Sequence, residues 1–393
     1  MIISSRAFGT VTLVLAIAFA TEQATSESTS KRCGKGFVEQ VNGCTVLHLK
    51  GTPYEMGYQH GALLKENVKA SFANLQELSK KIRFPQFGYE FTPANVIGLI
   101  IDIQKKYLPA AYREEIQGLA DGAGISEELA FQMNFIPELF HCSGFAIMNS
   151  ATKDGTLYHG RVLDYATDWG LQKHGVLIVA EPDGKIPFVN VSFTGFVGSV
   201  TGMNAEHISI GEMGGHGLGL WNGVPMAALV RRALEESKSV DDAVAIFRDS
   251  ARTCEYYYVV ADGKNNDAVG MEASANKFAV LKPGEFHPML PSPIQDCVLM
   301  SADRRYKKLV KWVKGGHGGF TEKSALELMN CPVAMKRQNL HNVLFEPKST
   351  RFWYSLASED RQPAAKQPYR AFQLTELLKR RPPEDVEEIA LEK

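Results

Sequence analysis

The chain has 393 residues, 45% of them hydrophobic, enough to bury a full core without disulfides or a structural metal. Its 43 Lys and Arg stand against 44 Asp and Glu, a formal net charge of -1, so no single-sign field favours nucleic acid or an anionic membrane. Residues 1–20 carry Arg6, an apolar run and the small-x-small site Ala18-Phe19-Ala20, the pattern of a secretory signal peptide. That run is far short of the ~20 residues that cross a bilayer, and no later stretch qualifies. The expectation is an exported protein, secreted or periplasmic, with no stable membrane insertion. Residues 21–35 are polar and read as a disordered lead-in. Six cysteines would meet an oxidising compartment. Cys33 and Cys44 are close enough in sequence for a local bridge, whereas Cys254, Cys297 and Cys331 read as small buried residues.

Residues 45–50 alternate as a short strand ended by Gly51. In Thr52-Pro53-Tyr54-Glu55 the threonine caps a helix that Pro53 opens, and Glu55 completes a capping box. Gly57 and Gly61, four apart, let that helix approach a neighbour closely. Leu63, Leu64, Val68, Phe72, Leu75 and Leu78 keep a helical period, as do residues 94–108, so the first third is mostly helical. From Cys142 the character changes. Residues 143–150, 157–163, 176–180 and 187–193 are strand-like, broken by Asp154-Gly155 and Asp183-Gly184. Helical runs at 226–237 and 240–249 separate them from a second strand group at 256–261, 268–273 and 277–281, and helices follow at 303–313 and 321–329. This order, without regular βαβ alternation, predicts an α+β chain of antiparallel sheets covered by helices. The tail from Lys379 reads as solvated, with room for a terminal helix.

The chemistry concentrates around His141-Cys142-Ser143-Gly144 and Gly160-Arg161-Val162-Leu163-Asp164-Tyr165. With Asp154-Gly155 in a hairpin turn, residues whose numbers sum to about 307–309 face one another. Arg161 and Asp164 then fall within a few residues of the thiol. Being three apart, they need a bulge or a strand end to share a face. A thiol needs a base to become a thiolate and a cation to hold it. Arg161 supplies the charge. His141 and His159 compete as bases with a different solution, a cut before Cys142 whose freed α-amino group titrates near ~8 and is steadied by Asp164. No His-x-Glu, Cys-x-x-Cys or His-Glu-x-x-His pattern occurs, so neither a metal nor another cofactor is expected. The absence of Gly-x-Ser-x-Gly argues against a serine α/β-hydrolase.

Cys142 at a strand start, followed by Gly160-Arg161-x-x-Asp164-Tyr165, resembles the N-terminal-nucleophile hydrolases of the penicillin acyltransferase group, and more distantly acid ceramidase, N-acylethanolamine acid amidase and bile-salt hydrolase. Residues 51–61 look like that group's propeptide opening. Phe193-Thr194-Gly195-Phe196-Val197-Gly198 and Thr201-Gly202-Met203-Asn204 are similar to the segment after its active-site hairpin. The resemblance implies a four-layer αββα sandwich and autoproteolysis between His141 and Cys142. It implies a mostly helical propeptide or α chain over residues 36–141 and a β chain over 142–393, the two staying partners. It also implies a small acylated amide or lipid-like substrate. Cys142, Arg161 and Asp164 carry over as catalytic residues. The family's later asparagine does not, since residues 285–306 contain none. Gln295 or Ser301 stands in for it, with Asn204 or backbone amides as alternatives. Glu212 lies where related amidases keep a polar pocket residue. Competing classes are a phospholipase B-like lipid esterase and a non-catalytic binding protein on the same fold; the presence of Cys142, Arg161 and Asp164 together counts against the latter.

Overall fold

The computed structural model describes residues 30–81, 93–135, 142–165, 167–215, 219–384 and 386–391. The segment read as a signal peptide and His141 lie outside these. The described residues open with three strands, β1 (Lys31–Cys33), β2 (Gly36–Val41) and β3 (Cys44–Gly51), followed among them by the helices α1 (Pro53–Leu63), α2 (Lys65–Lys81), α3 (Pro93–Gln104), α4 (Ala110–Ala123) and α5 (Glu127–Asn134). Next come β4 (Ser143–Asn149), β5 (Gly155–Asp164), β6 (Gly175–Pro182), β7 (Phe188–Phe193), β8 (Thr201–Asn204) and β9 (Ile208–Gly214). Then follow α6 (Met226–Glu236), α7 (Val240–Arg248), β10 (Glu255–Asp262), β11 (Asp267–Ser274), β12 (Phe278–Leu281), β13 (Cys297–Met300), α8 (Asp303–Gly316) and α9 (Glu322–Glu327). The chain ends with β14 (Asn339–Glu346), β15 (Arg351–Leu356), β16 (Arg370–Gln373), α10 (Leu374–Leu377) and β17 (Glu387–Ile389).

Two sheets result. One has eleven strands in the order β12-β11-β10-β9-β8-β7-β6-β3-β2-β1-β17, the other six in the order β13-β4-β5-β14-β15-β16. Strand alternation splits each into two faces. Ala146, Met148, Leu157 and Leu163 meet Val259 and Ala261 between the sheets, whereas Phe145, Ile147 and Val162 pack outward on Leu309, Val310 and Val313 of α8. On the far side of the large sheet, Ile210, Tyr258 and Val260 bury against Leu229, Ala233 and Phe247 of α6 and α7. Helix, sheet, sheet, helix is the four-layer α+β arrangement expected.

Several local expectations change. The lead-in is already structured at Lys31–Cys33, which pairs with Glu387–Ile389 of the tail. Polar composition hid this because two short ion-paired strands carry the segment, Lys31 on Glu387 and Arg32 on Glu388. The tail therefore ends in a strand rather than a helix. The sheets are also not wholly antiparallel, since β3 with β6 and β1 with β17 run parallel. Cys33 and Cys44 are both buried free thiols, so no bridge joins them.

The helical opening is built as its sequence reads. Thr52 Oγ1 accepts from the Glu55 amide and the Glu55 carboxylate accepts from the Thr52 amide, closing the capping box. A Cβ at Gly57 would stand 1.9 Å from the Glu115 carbonyl oxygen, and one at Gly118 would stand 2.1 Å from the Tyr54 oxygen. Helices α1 and α4 thus touch backbone to backbone, and only glycine fits at these crossings.

Candidate active site

The β4–β5 hairpin organises the site. Its register pairs Ser143 with Val162, Gly144 with Arg161 and Phe145 with Gly160. The paired numbers are smaller in sum than expected because the turn is longer than Asp154-Gly155: Asn149 already pairs with Gly155, after an irregularity, and the residues between them form the loop. The shift brings Cys142 beside the end of β5, with its Sγ 4.0 Å from the Asp164 carbonyl oxygen.

Arg161 and Asp164 do not share a face. Arg161 points between the sheets with Leu163. Its stem crosses Gly211, where a Cβ would lie 2.7 Å from Arg161 Cδ. Its Nη2 then comes within 3.7 Å of Glu212 Oε2, both side chains being wholly buried, and Nη1 donates to the Val162 carbonyl. Glu212 belongs to strand β9 rather than to a loop, which explains why it is buried. Asp164 faces outward, with Val162. Its carboxylate accepts from Arg305 Nη1 of α8 and from the Met335 amide at 3.0 Å. Burial pushes this carboxyl up to about 7, against the pull of Arg305, the Met335 N–H, Arg161 and Asn339. Nothing in the sequence singles out Arg305, which reaches the site across 141 residues of chain.

The remaining predicted residues separate. Ser301, just past β13, shares a 2.7 Å hydrogen bond with Ser143 and lies at the site. Asn204 does not. Its Nδ2 donates to the Leu234 and Ser237 carbonyls, and its Oδ1 accepts from the Glu206 and Ile208 amides. It therefore closes the β8–β9 turn against the end of α6. Gln295 is absent from the cavity lining, and its carbonyl is bonded to His317. His159 is buried on Ser209 at 2.8 Å, with burial lowering its pKa to about 3, which disqualifies it as a base near neutrality.

Cys142 lines a cavity of about 390 Å³ whose walls are Met213, Leu281, Leu290 and Met300, with Ser301 and Tyr257 among its polar groups. Tyr257 was one of three consecutive tyrosines; it faces the cavity while Tyr256 and Tyr258 join the core. Among the described residues no group of His, Cys, Asp and Glu is arranged to hold a metal. The arrangement offers a recessed thiol, a buried cation and a buried carboxyl at one hairpin end, and a mainly apolar chamber in front of the thiol.

Comparison with known proteins gives the same direction. A family model for acyl-coenzyme A:6-aminopenicillanic acid acyl-transferase matches residues 150–285. That span includes Arg161, Asp164 and Glu212 and stops short of Cys142 and Ser301. Protein dcd1A of Dictyostelium discoideum is 26% identical over 355 residues, which is 81% of this chain and 80% of that one. N-acylethanolamine-hydrolyzing acid amidase of Cavia porcellus is 27% identical over 207 residues, 50% of this chain and 56% of that one. Among solved structures, an ortholog of that amidase from Caenorhabditis elegans aligns with a TM-score of 0.44 at 19% identity, covering 59% of this chain and 99% of the other. Penicillin V acylase from Agrobacterium tumefaciens aligns with a TM-score of 0.40 at 10% identity, covering 60% of this chain and 86% of the other.

Proposed function

Starting from this kinship with an acyl-transferase family and with acid amidases, we propose that the chain is an exported, self-processing enzyme that cleaves or transfers the acyl group of a linear non-peptide amide. The observation that carries the proposal is Cys142, at the entrance of β4, facing a mainly apolar cavity while Arg161 and Asp164 stand buried at the partner strand's end. The Cys142 thiol first attacks the His141 carbonyl carbon, the peptide C–N bond breaks to free the Cys142 α-amino group, and water hydrolyses the resulting thioester, leaving His141 as a carboxylate and restoring the thiol. That amine takes the thiol proton, and the thiolate attacks the substrate carbonyl carbon. The C–N bond breaks, the leaving amine receives the proton from the α-ammonium, and a thioester remains. Water or an acceptor amine then attacks the thioester, the C–S bond breaks and the thiol is restored. Asp164, fixed by Arg305 and the Met335 amide, orients the ammonium, and Arg161, backed by Glu212, supplies positive charge to the thiolate or the substrate's polar head. Ser301 and nearby backbone amides receive the oxyanion.

Intact mass and amino-terminal sequencing test the first step. The expected result is two pieces, one starting at Cys142, with Cys142→Ala uncut and inactive on a panel of acyl amides and matched acyl esters. A folded, uncut wild-type chain that turns over amides would sink the self-processing step. Turnover of esters alone would shift the reading to a lipid esterase.

A further inference from the structure

The cavity in front of Cys142 has a charge pattern of its own. Among the described residues its lining includes Glu255, Glu272, Asp303 and His287 but no lysine or arginine. Glu255 and Glu272 rise from the neighbouring strands β10 and β11. Tyr257 stands between them, directly across from Glu272 and donating its hydroxyl to Glu255 at 2.5 Å. Burial and both carboxylates push the Tyr257 hydroxyl up, so it stays a neutral donor. Of the basic groups that face these carboxylates, Lys277 comes from outside the lining and His287 belongs to it. Lys277 pairs with Glu272 at 2.6 Å from an exposed position, and His287 Nε2 lies 3.6 Å from the same carboxylate. Arg305 of α8 is engaged by Asp164. Met213 and Met300 pack with Cys142, Leu290 rests against that group, and Leu281 joins them in the lining. A ligand that fills this space has an apolar stem near the thiol and meets carboxylates further out.

We propose that this cavity receives the leaving-amine half of the substrate and selects amides whose amine is neutral or bears a second, protonated amino group, rejecting those whose amine bears a carboxylate or sulfonate. The inference rests on the amide-cleaving reading and adds the substrate's charge class to it. A carboxylate carried into a partly desolvated cavity beside Glu255 and Glu272 meets like charge with little solvent to screen it. An ammonium finds hydrogen-bond acceptors at Glu255 and Glu272 in the same place.

Two measurements on the full chain test it. In the first, Cys142 of the wild-type protein reacts with a cationic (trimethylammonium-ethyl) or an anionic (sulfonato-ethyl) methanethiosulfonate, each rate being divided by that of a small free thiol. The cation-over-anion ratio is expected to exceed the free-thiol ratio by about tenfold, and Glu255→Gln and Glu272→Gln are each expected to pull it back. A wild-type ratio at or below that of the free thiol overturns the inference without requiring any variant to fold. In the second, one acyl chain is presented as its monoamide of ethane-1,2-diamine, its ethanolamine amide and its glycine amide. Faster turnover of the first two supports the inference, and preference for the glycine amide overturns it while leaving the amide reading intact. Cleavage of none of the three overturns the reading on which it rests.

Discussion

At the scale of single residues the site depends on two buried ionic groups on opposite faces of β5. Arg161 and Glu212 are both fully buried, so removing the carboxylate leaves a cation without its compensating charge. Glu212→Ala is expected to destabilise the fold by about 3–5 kcal/mol, read as a lowered urea midpoint with unchanged slope. Asp164 behaves differently. In the uncut chain burial holds its carboxyl at about 7, so it is partly protonated at neutrality. If the chain is cut as proposed, a Cys142 ammonium near the end of β5 is expected to favour the carboxylate and move that value down. The processed enzyme is therefore expected to lose kcat/KM as pH falls through a midpoint below 7. Asp164→Asn is expected to lower the rate by about a hundredfold or more across the whole profile. The sequence made Cys142, Arg161 and Asp164 legible because all three sit on one hairpin, where spacing becomes geometry. Arg305 and Glu272 stayed hidden because they arrive from other strands and helices, and no local pattern links them to the thiol; the tyrosine run at 256–258 is aromatic enough to line a pocket, but strand alternation alone does not say which of its members faces one.

At the scale of elements, the best-read piece was α1, whose cap and glycine spacing are local chemistry. Its partner was not read. Gly118 and Gly122 of α4 show the same four-residue spacing, yet only the fold reveals that the two helices cross where Gly57, Gly61, Gly118 and Gly122 lie, each glycine against the other helix's backbone. Gly57→Ala forces a methyl group onto the Glu115 carbonyl, and overpacking of this kind is expected to cost about 3 kcal/mol, seen as a lower Tm. The hairpin was read in kind but misplaced in register, because dipeptide turn signals do not report an irregular five-residue loop. Strands β8 and β9 were missed since Gly202 and Gly211 interrupt their alternation. The Gly211 gap has a use, as it lets the Arg161 stem through to Glu212. The segment after β7, singled out by resemblance, forms a junction. His60 Nε2 accepts from the Gly195 amide at 2.9 Å, and Asn134 bonds Gly195 O and Val197 N.

At the scale of the whole molecule, that junction ties the opening third to the rest and should respond to pH. Burial, with Arg231 adding to it, lowers His60 to about 3. The unfolded chain binds a proton at about 6.5 that the folded one refuses, so stability is complete above that pH and is lost as pH falls from about 6.5 toward 3, by about 1.4 kcal/mol per unit. Asp164 opposes this. Its raised carboxyl makes stability decline as pH rises from about 4 to about 7. His60→Gln, which retains an acceptor, is expected to make the acid side of a Tm-against-pH curve shallower by one proton's share, the buried His159 still contributing its own, while leaving the Asp164 slope. The layer order was legible in outline because apolar alternation marks faces. Strand order was not, because the neighbours of β3 and β1 lie far along the chain.

The pairing of β3 with β6 and of β1 with β17 has a mechanical consequence. The first three strands are interleaved between strands that come from beyond Cys142, like a card slid into the middle of a hand. A peptide bond broken ahead of Cys142 therefore severs the covalent path without creating a free body. To leave, the early piece must strip two separate ladders of hydrogen bonds and bare two raw sheet margins at once. Scission in this architecture is expected to change the ends of the chain and not the number of particles in solution, which size-exclusion chromatography of the cut protein would check.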